Sequence, residues 1–284
     1  MTEFLSDLAS FSFLQYALAA GILASIACGV VGSFVVVRRI TYIAGAIAHS
    51  VLGGMGAARY AEVVHGVSWL TPLVGAATAA IFSALIIGLV SLKVSEREDT
   101  VIGAVWSVGM ATGIVFIFKT PGYGENLMSY LFGNILMVSS VDLWLMAGLD
   151  LLIVTAGLLF YRQFLAVCFD EELALLRGVR VQFLYLMLLC LVALTVVLLV
   201  SVVGIVMVIA LLTLPAATAG YFSRRLIGMM GLSVLLCILF TTGGLAMSYA
   251  AALPAGATII LLAGAVYLAV TAVLAVVGKE RLPE

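Results

Sequence analysis

The sequence has too little charge to cover a water-facing surface: only 10% of its 284 residues are Asp, Glu, Lys or Arg, against roughly 25% in a soluble domain. Between Arg225 and Lys279 lie 53 consecutive uncharged residues. As helix that stretch is about 80 Å long, and a bilayer core is about 30 Å thick, so it crosses at least twice. A soluble fold is excluded. The net charge of −1 gives no field for nucleic acid or another polyanion. There is no GxxxxGK[ST] loop, so the chain has no P-loop of its own for ATP. HExxH, GxSxG and CxxC are absent too, and two histidines with scattered carboxylates make no catalytic constellation. An intramembrane hydrolase would need a nucleophile, and none stands out. The four cysteines, Cys28, Cys168, Cys190 and Cys237, share no ligand spacing and read as small apolar packing residues. Residues 1–15 hold Glu3 and Asp7 but no Lys or Arg, so they do not read as a cleavable signal peptide.

What the chain does have is apolar runs. They predict an all-α, polytopic membrane bundle of about nine spans: Leu14–Val37, Ile40–Ala58, Trp69–Leu92, Val101–Phe118, Val141–Tyr161, Phe183–Val200, Val202–Phe222, Leu226–Tyr249 and Ala255–Val277. The 40 uncharged residues from Phe183 to Phe222 suffice for two helices with a very tight turn, for which Ser201 and Gly204 are the suitable residues. With the N-terminus outside, inner segments hold eleven of the basic residues, among them Arg38, Arg39, Lys93 and Arg162. Outer segments hold two, Arg59 and Lys119. That asymmetry sets the C-terminus in the cytoplasm. The abundant glycines, including the pair Gly109 and Gly113, allow helix backbones to approach closely. One transmembrane domain spans residues 1–284, with a cytoplasmic loop at about 162–182.

That loop carries "FDEELALLRGV". Asp170 is placed as an N-cap, Glu171 and Glu172 as first-turn acids that suit the helix dipole, and Gly178 as the C′ glycine. Phe169, Leu173 and Leu176 form one apolar face. Such a helix either lies in the membrane interface or docks into a partner's groove.

Two ionisable residues sit at mid-span. His49 shares a helix face with Gly45 and Gly53, at i−4 and i+4. It is either bonded to a neighbouring helix or serves as a metal ligand in a pathway. Asp150, in the fifth span, would cost about 2.5–3.5 kcal/mol as an unpaired charge on insertion scales, so it is protonated, paired or beside water. Glu62 and His65, three apart on an outer connection, are a weaker cation candidate. Pro215 and Pro254 read as helix breaks or kinks that can frame a pathway.

Six segments, in order, resemble the zinc/manganese/iron family of ABC importer permeases. They are "VVVRRITYIAGAIAHSVLGG", "REDTVIGAVWSVGMATGIVFI", "MSYLFGNILMVSSVDL", "FDEELALLRGV", "VVGIVMVIALLTLPAATAGYFSRRL" and "LPAGATIILLAGAVYL". The resemblance implies a permease subunit in a bacterial cytoplasmic membrane, importing a divalent transition metal by alternating access. It implies a second copy of the chain, cytoplasmic ATPase subunits and an extracytoplasmic metal-binding protein as partners. The metal is cargo, and no resident cofactor is expected. The coupling residues would be Phe169, Asp170, Glu171, Glu172, Leu173, Ala174, Leu176 and Gly178. His49 matches the histidine of the family's second-helix motif. Many members carry an aspartate four residues earlier; this chain has Gly45, so either the ligands differ, with Asp150 a substitute, or the cargo differs, a metal chelate included. The runner-up reading is a stand-alone proton-coupled metal transporter or channel using Asp150 and His49.

Overall fold

No water inside a bilayer satisfies a stranded backbone N–H or C=O, so a chain this apolar resolves into helices that bond internally. A computed structural model describes residues 6–8, 10–93, 98–121, 133 and 135–277, and among these there is helix and no strand. The helices are α1 (Ser12–Val37), α2 (Thr41–His65), α3 (Pro72–Ser91), α4 (Glu98–Lys119), α5 (Ser140–Leu159), α6 (Tyr161–Phe169), α7 (Glu171–Leu176), α8 (Val181–Val203), α9 (Ile205–Phe222), α10 (Leu226–Ala251) and α11 (Ala255–Val277). Of the segments read from the sequence, residues 128–132 and 134 lie outside the described residues, as do Arg97, Lys279 and Arg281 from the orientation count.

Among the described residues eight helices are long and apolar enough to cross a membrane, one fewer than the nine spans expected. The helix that falls short is α2, where glycine, alanine and His49 stand in place of long aliphatic side chains. It nevertheless runs parallel to α4, which is one of the eight. Trp106 lies against Gly45, Gly109 against Ser50, Gly113 against Leu52 and Phe116 against Tyr60, so the two helices share one depth.

Glycine sets how close these helices come. A Cβ added at Gly54 would overlap the Gly75 carbonyl oxygen, and one at Gly75 would overlap that of Gly54, so α2 and α3 touch backbone to backbone. A Cβ at Gly109 would lie 2.5 Å from the Ser50 Cα, and one at Gly113 would lie 2.6 Å from the Leu52 carbonyl carbon. The expected close approach therefore occurs, with α2 wedged between α3 and α4. On the other side of the bundle α1 is enclosed by α5, α9 and α10. Gly32 abuts the Leu212 carbonyl, Ser25 shares a hydrogen bond with Thr241 at 3.2 Å, and Phe34 meets Phe164 edge-on at 5.2 Å. The buried apolar side chains form one continuous cluster.

The tight turn expected near residue 201 reduces to Gly204, which alone separates α8 from α9 at φ +79°. The chain at Gly133, itself at φ +65°, presses so closely on Val203 and Gly204 that a Cβ there would overlap the corner. Only glycine satisfies both demands. Pro215, expected to break or kink its span, sits buried inside continuous α9. A proline at this position leaves the Leu211 carbonyl without its helical donor, and the Cys237 thiol of α10 donates to that oxygen at 3.5 Å. Pro254 instead precedes α11, where its carbonyl accepts from the Thr258 N–H at 3.2 Å.

Gly54→Val should lower the melting temperature of the detergent-solubilised protein, because overpacking costs about 1–3 kcal/mol. Gly103→Ala, where a Cβ meets nothing within 4 Å, should leave it unchanged or raise it by the few degrees that about 0.5–1 kcal/mol of helix propensity supplies. Equal melting shifts for the two variants would contradict the wedge.

Candidate functional site: a half-buried histidine and a tethered surface helix

His49 comes from the glycine-rich middle of α2. Its ring lies flat against the Trp106 indole of α4, with centroids 4.4 Å apart and planes 15° apart. Tyr42, two turns earlier on the same face, meets the indole at a tilt, with ring centroids 5.7 Å apart. His49 is half-buried, and its Nδ1 is enclosed without a hydrogen-bond partner. Sequence reading missed Trp106. The available signal was a lone tryptophan in the span that carries the Gly109/Gly113 pair, but nothing in the pattern linked it to the histidine on another helix.

Asp150 is 5% exposed and faces α1 near Ala27 and Cys28. Neither carboxyl oxygen has a hydrogen-bond partner of ordinary geometry. Asp150 therefore packs on α1 while His49 packs on α4, and no interaction joins the two. Among the described residues no group of three or more His, Cys, Asp or Glu is arranged to hold a metal. Glu62 and His65 fall in the last turns of α2 and not in a loop. Glu62 pairs with Arg59 at 2.8 Å, and His65 packs edge-on to Tyr60, so these two do not form a cation site.

The loop at 162–182 folds into α6, α7 and the start of α8. Asp170 accepts from the Leu173 N–H at 2.8 Å, and Glu171 and Glu172 occupy the first turn. Past the helix, Gly178 (φ +76°) donates to the Leu175 carbonyl and Val179 to that of Ala174. These are the two bonds of a Schellman cap. Six helical residues closed at both ends do not depend on length for stability. Ala174 is buried against the bundle, whereas Phe169, Leu173, Leu175 and Leu176 project outward, Leu176 at 85% exposure.

One ion pair ties this helix to the bundle. Arg38, the residue that ends α1, donates to Glu171, and its guanidinium lies over the Tyr185 ring of α8 at 5.5 Å. The Tyr185 hydroxyl in turn meets Ser91 of α3 at 3.2 Å. Arg39 follows at φ +61°, where Ile40 and Arg39 close a Schellman cap on α1 and the chain turns into α2. The double arginine thus joins α7 to the helix that carries His49. Cys168 sits beside this pair, and burial pushes its thiol up to about 12, which leaves it an inert packing group.

The ABC 3 transport family model matches residues 10–274. The chain belongs to the ABC 3 transport family. It is 41% identical over 246 residues to a probable metal transport system membrane protein of Chlamydia pneumoniae, covering 87% of this chain and 84% of that one. It is 36% identical over 267 residues to the manganese transport system membrane protein MntC of Halalkalibacterium halodurans, covering 94% and 89%. Its fold matches PsaBC from Streptococcus pneumoniae in complex with Fab with a TM-score of 0.83 at 32% identity, over 95% of this chain and 94% of that one. This member of the family is a multi-pass protein of the bacterial cytoplasmic membrane.

Asp150→Asn, which keeps shape and removes the ionisable group, should leave metal uptake and detergent stability near the parent values, because neither oxygen has a hydrogen bond of ordinary geometry to lose. A tenfold fall in uptake by an assembled Asp150→Asn protein would instead give the carboxyl a part in transport. For the tether, Arg38→Ala and Glu171→Ala should each reduce ATP-driven uptake, and the double variant should be no worse than either single one. Additive losses would mean that the two side chains act independently.

Proposed function

We propose that this chain is the membrane-spanning permease subunit of an ATP-driven importer for a divalent transition metal: zinc, manganese or iron. The observation that carries the reading is α7, a fully capped helix outside the bundle that presents Leu173, Leu175 and Leu176 beside Phe169 of α6 and is tied by Glu171 to the arginine pair leading into the helix of His49. An apolar helix held this way is suited to a groove on a partner. The partner we assign is a cytoplasmic ATPase, since this chain has no nucleotide loop and its family is one of ABC transport proteins. The chain is then a permease and not itself an enzyme. The relatives named for metal and manganese transport support the cargo, and manganese is the metal to try first.

In the working assembly two copies of the chain form the pathway on their shared axis. Two ATPase subunits dock beneath, and an extracytoplasmic binding protein delivers the metal. The N-terminus lies outside and the C-terminus in the cytoplasm. ATP binding closes the ATPase pair and moves α7. The Glu171–Arg38 tether passes that movement to the α1–α2 joint, which re-aims α2 and His49 between outward and inward access. His49 touches the passing ion through neutral imidazole, a donor suited to these metals. One histidine per chain binds weakly, as passage requires, since a tight site would hold the ion.

Mild-detergent purification from native membranes should recover a P-loop ATPase in equal amount with this chain. Recovery of the chain alone, with metal transport driven by a proton gradient, would overturn the assignment. Leu173→Asp and Gly178→Val should uncouple ATP hydrolysis from uptake while the bundle stays folded. His49→Ala should cut uptake at least tenfold without loss of assembly, since even the outer-shell partners of a metal ligand are worth about 10–100-fold.

A further inference from the structure

His49 lacks the usual means by which a ligating histidine is oriented. Such a ring normally donates its second N–H to a carboxylate, a carbonyl or water, which fixes both tautomer and direction. Here Nδ1 is enclosed and has no partner. What holds the ring is a flat aromatic surface, the Trp106 indole at 4.4 Å and 15°.

The slot for that indole is built into α2. Tyr42, Gly45 and His49 lie on one face at i, i+3 and i+7, so the two rings stand about 10 Å apart along the axis. Between them Gly45 has no side chain, and a Cβ there would already lie 3.3 Å from Trp106 Cζ3. The indole fills the gap between Tyr42 and His49 and lies close to parallel with the imidazole. Because Nδ1 is sealed while the residue as a whole is half-exposed, the open edge of the ring is the one that carries Nε2.

We propose that Trp106 is the positioning residue for His49: seated in the Gly45 slot, it fixes the imidazole by stacking and leaves Nε2 as the nitrogen offered to a passing metal ion. This rests on the reading of His49 as a pathway residue, and Trp106 itself touches no cargo. Gly45 is the second element of the device, since any larger side chain there displaces the indole and releases the histidine.

Fluorescence is read on the purified full chain, with Trp69→Phe and Trp144→Phe as background, and uptake on the complete transporter in membranes. Both of those side chains are largely exposed, and their removal leaves Trp106 as the only indole. Mn2+ or Co2+ alone should quench Trp106 emission, and His49→Ala should abolish the quenching. Trp106→Leu and Gly45→Leu should each raise the KM for metal about tenfold or more while the maximal rate changes little. Trp106→Phe, which keeps an aromatic face, should recover most of that loss. Quenching that depends on His49, combined with an unchanged KM in Trp106→Leu and Gly45→Leu, would overturn the positioning role and leave the pathway histidine standing. Absence of quenching together with normal uptake by His49→Ala would overturn the pathway reading itself, and the proposal with it. Should Trp106→Leu fail to assemble, Gly45→Leu and the quenching experiment decide the matter without it.

Discussion

Contact between bare backbones, made possible by glycine, holds α2 in place, and the arrangement around His49 depends on it. In hydrocarbon no hydrophobic force presses one helix against another; close packing must supply the attraction instead. Gly54 and Gly75 bring α2 onto α3, while Gly109 and Gly113 bring α4 onto the opposite side of α2. At that separation a side chain reaching across from α4 lies flat on its neighbour, and Trp106 does so on His49. The low hydropathy of α2 has the same origin. A helix packed through glycine and alanine gives up the aliphatic bulk that a lipid-facing helix carries.

The second organising element lies at the end of α1. Arg38 and Arg39 divide the work. One reaches Glu171 on the surface helix and covers Tyr185, and the other adopts the left-handed conformation that turns α1 into α2. A non-glycine residue in that conformation is strained by roughly 1 kcal/mol, and here the Schellman bonds around it hold it. The surface helix and the histidine helix are therefore joined through three residues and one turn. Such a short and stiff linkage suits the transfer of a movement made at α7, as its proposed docking role requires.

Internal satisfaction of polar groups explains the remaining irregularities. Pro215 removes a donor from α9, and the Cys237 thiol replaces it from the next helix. That gives one of the cysteines a task beyond filling space. Gly204 provides in one residue a junction for which a longer turn would leave more backbone unpaired, and Gly133 packs on that junction. Asp150 is an exception, enclosed on α1 with neither carboxyl oxygen in a hydrogen bond of ordinary geometry, and His49 Nδ1 and Ser233 Oγ are others.

Several features were legible in the sequence because their causes are local. Segregation of charge dictates a helical membrane bundle. Asp170, Gly178 and the acids between them dictate a capped helix wherever the segment lies, and Ser201 and Gly204 mark the only place for a break in a long apolar run. The order of six motifs pointed to the family. The count of spans was less legible: Ile40–Ala58 was read as a span, yet α2 is less apolar than the eight helices that qualify by length and hydropathy, and its depth is shown by its running beside α4. Nor did the pattern separate the fates of the ionisable residues. His49 and Asp150 look alike as lone polar groups at mid-span, yet one stacks on Trp106 and the other faces Ala27 and Cys28. Glu62 looked available for a cation and is paired with Arg59. The sequence by itself determined the helices, their caps and their likeness to a transporter family, because those follow from composition and neighbours a few residues apart. The partners of His49, Asp150, Arg38 and the Leu211 carbonyl were decided only by the tertiary structure, because each lies on a different helix and depends on packing geometry that no one-dimensional spacing records.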